Sequence, residues 1–130
     1  MVLSCIDPRF QPIIFSYLSK KGLKGKYSSF TIAGSSIGVT NKKFIKWHQT
    51  FWDNLSTSIK LHKIKKLIVF NHRDCGAAKI INGNKKFNKL VETKIHYDSF
   101  KKIKKRFKIK YPKLKIELIL ISLSNKIEKF

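Results

Sequence analysis

Five residues in two short strings have the types and spacing to do chemistry together. Cys5, Asp7 and Arg9 lie in Cys5-Ile6-Asp7-Pro8-Arg9; His72 and Cys75 lie in His72-Arg73-Asp74-Cys75-Gly76. The two strings hold both cysteines, one of four histidines and two of only three arginines. Two thiolates and one imidazole make a three-ligand set for zinc, and the fourth position stays open as in catalytic rather than structural sites. His72 and Cys75 are three apart, so one tight loop supplies two ligands. Cys75 lies near a helix N-terminus, where the dipole favours its thiolate. Asp7 and Arg9 are two apart and share a face if the chain is extended there. A guanidinium grips a carboxylate bidentately and keeps it ionised. That carboxylate has two open roles: it accepts a hydrogen bond from zinc-bound hydroxide, or it takes the fourth zinc position itself. Gly76 has no side chain, so backbone N–H groups at this helix start can face an anion.

These residues need a scaffold that brings the two strings together. Each string follows an apolar run that reads as a buried strand, Met1-Val2-Leu3-Ser4 and Leu67-Ile68-Val69-Phe70. As parallel neighbours, the two strands would end side by side, roughly 5 Å apart. Between them, Gln11 to Lys20 reads as a helix with Pro12 near its start and Gly22 near its end. Tyr27 to Ala33 reads as a strand closed by Gly34. Asn41 caps a long helix from about Lys42 to His62. Its apolar residues form two stripes, Phe44, Trp47, Phe51 and Leu55, and Ile45, His48, Trp52 and Ile59. Trp47 and Trp52 point about 140° apart. The long helix therefore lies either between two layers of one molecule or at a subunit interface.

After the second string a helix begins near Ala77, and Asn82-Gly83-Asn84 breaks the chain. A helix from about Lys89 to Lys110 carries Phe100, Ile103 and Phe107 on one stripe, and Pro112 ends it. Leu114 to Leu123 reads as a strand, and Ile127 to Phe130 as a short further one. Alternating strands and helices predict an α/β fold. The expected architecture is an open, mainly parallel four-stranded sheet in order 2-1-3-4, with room for a short fifth edge strand and helices flanking it. Residues 1–130 are expected to form one domain. The first and third strands then meet at the topological switch point, where such sheets bind ligands.

The net charge is +22, and 26 of the 29 basic residues are lysine. Phosphate readers favour the planar fork of arginine, so this composition argues for a solvated lysine surface and against a nucleic-acid partner. A zinc-stapled basic binding module, with Phe100 to Lys115 as its surface, stays open as the alternative class. Mean hydropathy is −0.24. No apolar run approaches the roughly 18 residues that span a bilayer. No signal peptide is visible, and the expected location is the cytoplasm. In that compartment two cysteines serve as ligands or free thiols rather than as a disulfide. Arg73 and Asp74 pair either with each other or across a dimer. His48 and His62 read as packing or surface residues, and His96 as a remote candidate for proton transfer.

Taken in order, Cys5-x-Asp7-x-Arg9, the Ala33-Gly34 step and His72-x-x-Cys75-Gly76 resemble the β-class carbonic anhydrases, in a short branch of that superfamily. The resemblance runs from residue 1 through the last long strand. It implies Cys5, His72 and Cys75 as zinc ligands and Asp7 with Arg9 as the supporting catalytic dyad. It implies reversible hydration of CO2 to bicarbonate by zinc-bound hydroxide, with Gly76, Ala33 and Gly34 beside the substrate or anion. Relatives acting on carbonyl sulfide or carbon disulfide imply an altered-substrate hydrolase as an alternative. The family also implies a homodimer or higher homo-oligomer. One departure stands out: the usual family string is Arg-Asn-Ala-Gly, whereas Thr31 and Ile32 precede Ala33-Gly34 here.

Overall fold

The computed structural model describes residues 1–130. The strands are β1 (Val2–Ser4), β2 (Ser29–Thr31), β3 (Lys66–His72), β4 (Lys115–Ile121) and β5 (Ile127–Lys129); the helices are α1 (Gln11–Lys20), α2 (Ile45–His62), α3 (Gly76–Asn82) and α4 (Lys89–Lys110). They build one sheet in the order β2-β1-β3-β4-β5. The first four strands are parallel and β5 returns antiparallel to β4. This is the expected α/β architecture, with the fifth edge strand present.

Strand alternation divides the core into two layers. Leu3, Leu67, Val69, Leu118 and Leu120 face one way and meet Phe51, Trp52 and Leu55 of α2 and Phe100, Ile103 and Phe107 of α4. Val2, Ile68, Phe70, Ile119 and Ile121 face the other way and meet Phe10 with Ile14 and Leu18 of α1. Successive strand residues point to opposite faces, and both faces here are covered by helices, so an unbroken apolar run is what the central strands need.

Local differences from the sequence reading have local causes. Strand β2 is shorter than Tyr27 to Ala33. The Ile32 amide still pairs with Ser4 O, but the Ser35 amide then bonds back to Ile32 O and turns the chain away from the sheet. The Asn41 side chain accepts from the Lys43 amide as a cap, yet the next three residues form a 3-10 turn, and α2 proper starts at Ile45. Only part of each α2 stripe reaches the core. Phe51, Trp52 and Leu55 are buried, whereas Ile45 is 65% exposed and Trp47 is 36% exposed and stacked on Phe44.

Candidate metal centre

Strands β1 and β3 pair in parallel through Val2 with Ile68 and Leu3 with Val69, so both motif loops leave the same end of the sheet. Cys5 follows β1 directly, and its carbonyl accepts a hydrogen bond from Gln11 Nε2 at 2.7 Å. Its sulfur accepts one from the Gly34 amide at 3.2 Å. The turn that delivers that amide requires glycine. Gly34 has φ +74°, and a Cβ there would stand 2.6 Å from the Ala77 Cβ. The Ala33-Gly34 step thus supports the Cys5 sulfur, a use that spacing alone did not reveal.

His72 closes β3, is buried and stacks on Phe10 with ring centroids 4.1 Å apart. Its Nδ1 lies 2.8 Å from the carbonyl of Arg73. Nδ1 therefore carries the proton, and the Nε2 lone pair is left for another partner. That Nε2 is buried and has no hydrogen-bond partner. Cys75 is buried at the start of α3, and its amide donates to Glu92 Oε1 at 3.1 Å. The Cys5, His72 and Cys75 ligand atoms all lie within 4.8 Å of one another.

The donor set and the orphaned imidazole nitrogen fit a zinc ion. Tetrahedral zinc, with Zn–S about 2.3 Å and Zn–N about 2.0–2.1 Å, sets its donors about 3.5–3.8 Å apart. The three donor atoms, within 4.8 Å of one another, lie close to that spacing. The proximity of the two sulfurs pulls the Cys5 thiol down and pushes the Cys75 thiol up. Burial alone would lower the His72 pKa, but the nearby Cys5 sulfur, the Arg73 carbonyl and the Asp7 carboxylate outweigh it and raise it.

Asp7 and Arg9 form the expected bidentate pair, but not as neighbours on one face of an extended chain: Asp7 caps a 3-10 turn over Pro8–Phe10, which brings Arg9 back onto it. Arg9 Nε donates to Asp7 Oδ1 at 3.0 Å, and its NH2 group donates to Oδ2 at 2.7 Å. The Arg9 amide adds a bond to Oδ1 at 3.0 Å, so the grip is a turn as well as an ion pair. The Arg9 side-chain hydrogen bonds hold the Asp7 carboxyl at about 2, so it is ionised throughout the neutral range. Asp7 Oδ2 reaches to 4.0 Å from the free Nε2 of His72, at the edge of the ligand cluster.

Asp74 and Arg73 do not pair with each other. Asp74 has φ +57° and accepts from Arg9 NH1 at 3.1 Å and from Lys79. Arg73 donates to Thr93 at 2.6 Å and to Glu128 at 3.0 Å. Gly76 is exposed, and a Cβ there would meet nothing within 4 Å.

Behind the site, three buried polar residues were not singled out by the sequence: Glu92, Asn71 and Ser99. Asn71 Oδ1 accepts from Ser36 at 2.9 Å, and its Nδ2 donates to His96 Nδ1 at 2.9 Å. Ser36 and Ser99 hydroxyls meet at 2.7 Å. His96 itself is 0% exposed, so its imidazole does not face solvent. The available signal was the Glu92-x-x-x-His96 spacing on a predicted helix, one turn apart, in a chain with only seven acidic residues.

The sheet order, the helices on both faces and the loops at the strand ends define the β-carbonic anhydrase fold. The b-carbonic anhydrase CafA of Aspergillus fumigatus superposes with a TM-score of 0.65 at 12% identity, covering 99% of this chain and 73% of that one. The carbonic anhydrase of Streptococcus mutans gives 0.59 at 15% identity, over 98% and 78%. One of two tetrameric β-carbonic anhydrases of Sordaria macrospora gives 0.54 at 10%, over 99% and 78%. Residues 1–122 match the family described as "Putative carbonic anhydrase", and the chain belongs to that family. Uncharacterised proteins of Rickettsia conorii and Rickettsia bellii are 30% and 31% identical over 130 residues; these span 99% of this chain and 70% and 79% of theirs.

Proposed function

We propose that the protein holds one zinc ion through Cys5, His72 and Cys75 and catalyses the reversible hydration of CO2 to bicarbonate. The convergence of those three donor atoms within 4.8 Å, beside a carboxylate gripped by arginine, carries the reading. Zinc bound there supplies a water of pKa around 7, and so a nucleophile at neutral pH.

The rest falls to the chain. His72 offers Nε2 because the Arg73 carbonyl holds the other ring nitrogen. Asp7, an acceptor only while ionised, takes a hydrogen bond from the attacking water and turns its lone pair toward the carbon. Arg9 acts through Asp7 as a positioning residue. Its second bond, to Asp74, ties the β1 loop to the β3 loop. Gly34 takes part through its amide on the Cys5 sulfur. The exposed Gly76 amide and Ala33 are the candidates for meeting the anionic product.

Homodimerisation or higher homo-oligomerisation belongs to this reading. Exposed Ile45, Trp47 and Ile80 support it. So does a cytoplasmic location, where both cysteines stay free thiols as they are here. No helix is long and apolar enough to cross a membrane.

Stopped-flow CO2 hydration on zinc-loaded protein tests the proposal. The expected result is a rate well above buffer, lowered roughly tenfold to hundredfold in Arg9→Ala with the zinc retained, the range seen when a supporting partner of a metal site is lost. Absence of any rate above buffer at one zinc per chain would overturn the activity.

A further inference from the structure

Glu92 is the most deeply buried acidic residue of the chain, 6% exposed, and it lies 17 residues beyond the nearest metal-ligand candidate. A carboxylate in that position is costly unless each oxygen has a partner. Oε1 accepts the Cys75 amide at 3.1 Å and lies 3.9 Å from His96 Nε2. Oε2 lies 3.9 Å from Arg73 NH1. His96 is oriented from behind: Asn71 donates to its Nδ1, so the ring proton sits on Nε2, facing Glu92. That Nε2 is buried and makes no hydrogen bond, with Glu92 its neighbour at 3.9 Å. Arg73 is anchored in turn by Thr93 and Glu128. The carboxylate therefore accepts one hydrogen bond, from the Cys75 amide, and is flanked by His96 and Arg73 at 3.9 Å each.

The loop needs a brace. Asp74 sits at φ +57°, in the left-handed region that aspartate tolerates better than most residues but still at some cost, immediately before Cys75, and its side chain is held by Arg9 and Lys79. Without a restraint the loop can relax to a commoner conformation and swing the Cys75 sulfur away from Cys5 and His72.

Resting on the metal-centre reading above, we propose that Glu92, backed by His96 and Arg73, is a positioning residue that holds the Cys75 loop in its zinc-binding geometry. It touches neither metal nor substrate. Its effect is read in metal affinity and ligand field, and much less in the stability of the metal-free fold.

Two conservative variants separate reach from charge. Glu92→Asp keeps the charge but is one methylene too short for the Cys75 amide. Glu92→Gln keeps the reach and an acceptor oxygen but loses the charge. Zinc affinity is measured by competition with a chromophoric chelator, cobalt(II) spectra report coordination geometry, and thermal unfolding is followed on the metal-free proteins. The expected result is a loss of about tenfold in affinity with an altered cobalt spectrum for Glu92→Asp, as for other outer partners of metal sites, whereas Glu92→Gln stays within about threefold of wild type. Both metal-free variants should melt close to wild type. Unchanged affinity in Glu92→Asp overturns the inference. So does a loss confined to Glu92→Gln, which would make Glu92 a distant charge only, or an affinity loss matched by a fall in metal-free stability. A wild-type protein that takes no zinc overturns the metal-centre reading itself, and this inference with it.

Discussion

Replacing Cys5 with serine is expected to strip the protein of zinc, and Cys75→Ser is expected to do the same. Metal-binding energies of about 10–16 kcal/mol shared among four ligands put one thiolate at about 3 kcal/mol, a loss of more than about a hundredfold in affinity. Serine does not recover this, because its hydroxyl does not ionise near neutral pH and is a poor zinc donor. The fold should survive. Cys5 and Cys75 belong to a small cluster with Ile37, Ala77 and Ala78, apart from the two large core layers. Elemental analysis after dialysis, alongside circular dichroism, checks the prediction: about one zinc per wild-type chain and close to none in either variant, with helix content unchanged. Retention of zinc by Cys5→Ser would remove Cys5 from the ligand set.

Gly38→Ala is expected to be the most destabilising change of a single methyl group near the site. A Cβ at Gly38 would stand 2.2 Å from the carbonyl oxygen of Ala33, which is backbone and cannot rotate aside. Overpacking in a well-packed core costs typically 1–3 kcal/mol, and a backbone obstacle puts this position at the upper end, about 3 kcal/mol. For a domain of this size that lowers the melting temperature by roughly 10 °C. The damage extends to the site, because moving Ala33 also moves the Gly34 amide that supports the Cys5 sulfur. Gly76→Ala is the control: nothing lies within 4 Å of the new methyl, and alanine suits the first turn of α3. Its melting temperature should match wild type, and thermal unfolding of the two variants side by side makes the comparison. Equal melting temperatures for Gly38→Ala and wild type would show that the turn yields freely.

Much of this arrangement can be read from residue order. Helix α1 spans Gln11–Lys20 and α4 spans Lys89–Lys110, the limits that Pro12, Gly22 and Pro112 suggest. The unbroken apolar run at Leu67 to Phe70 marks a strand covered on both faces, and that placed the two motif loops together. The scarcity of arginine singled out Arg9, whose fork does grip Asp7.

What stayed hidden depends on distant partners. Arg73 finds Glu128, 55 residues away on β5, a side-chain pairing that no local pattern specifies. Glu92 and His96 look like an ordinary pair on a lysine-rich helix until the packing of α4 turns them inward. The end of β2 is set by a turn around Gly34 that answers to the Cys5 sulfur rather than to strand propensity. Trp47 looks as apolar as Trp52, but only Trp52 faces the sheet.

Zinc K-edge X-ray absorption of the wild-type protein tests the central claim most directly. Two sulfur scatterers at about 2.3 Å with nitrogen or oxygen at about 2.0–2.1 Å are predicted for Cys5, Cys75 and His72. A first shell without sulfur, at one zinc per chain, would contradict it.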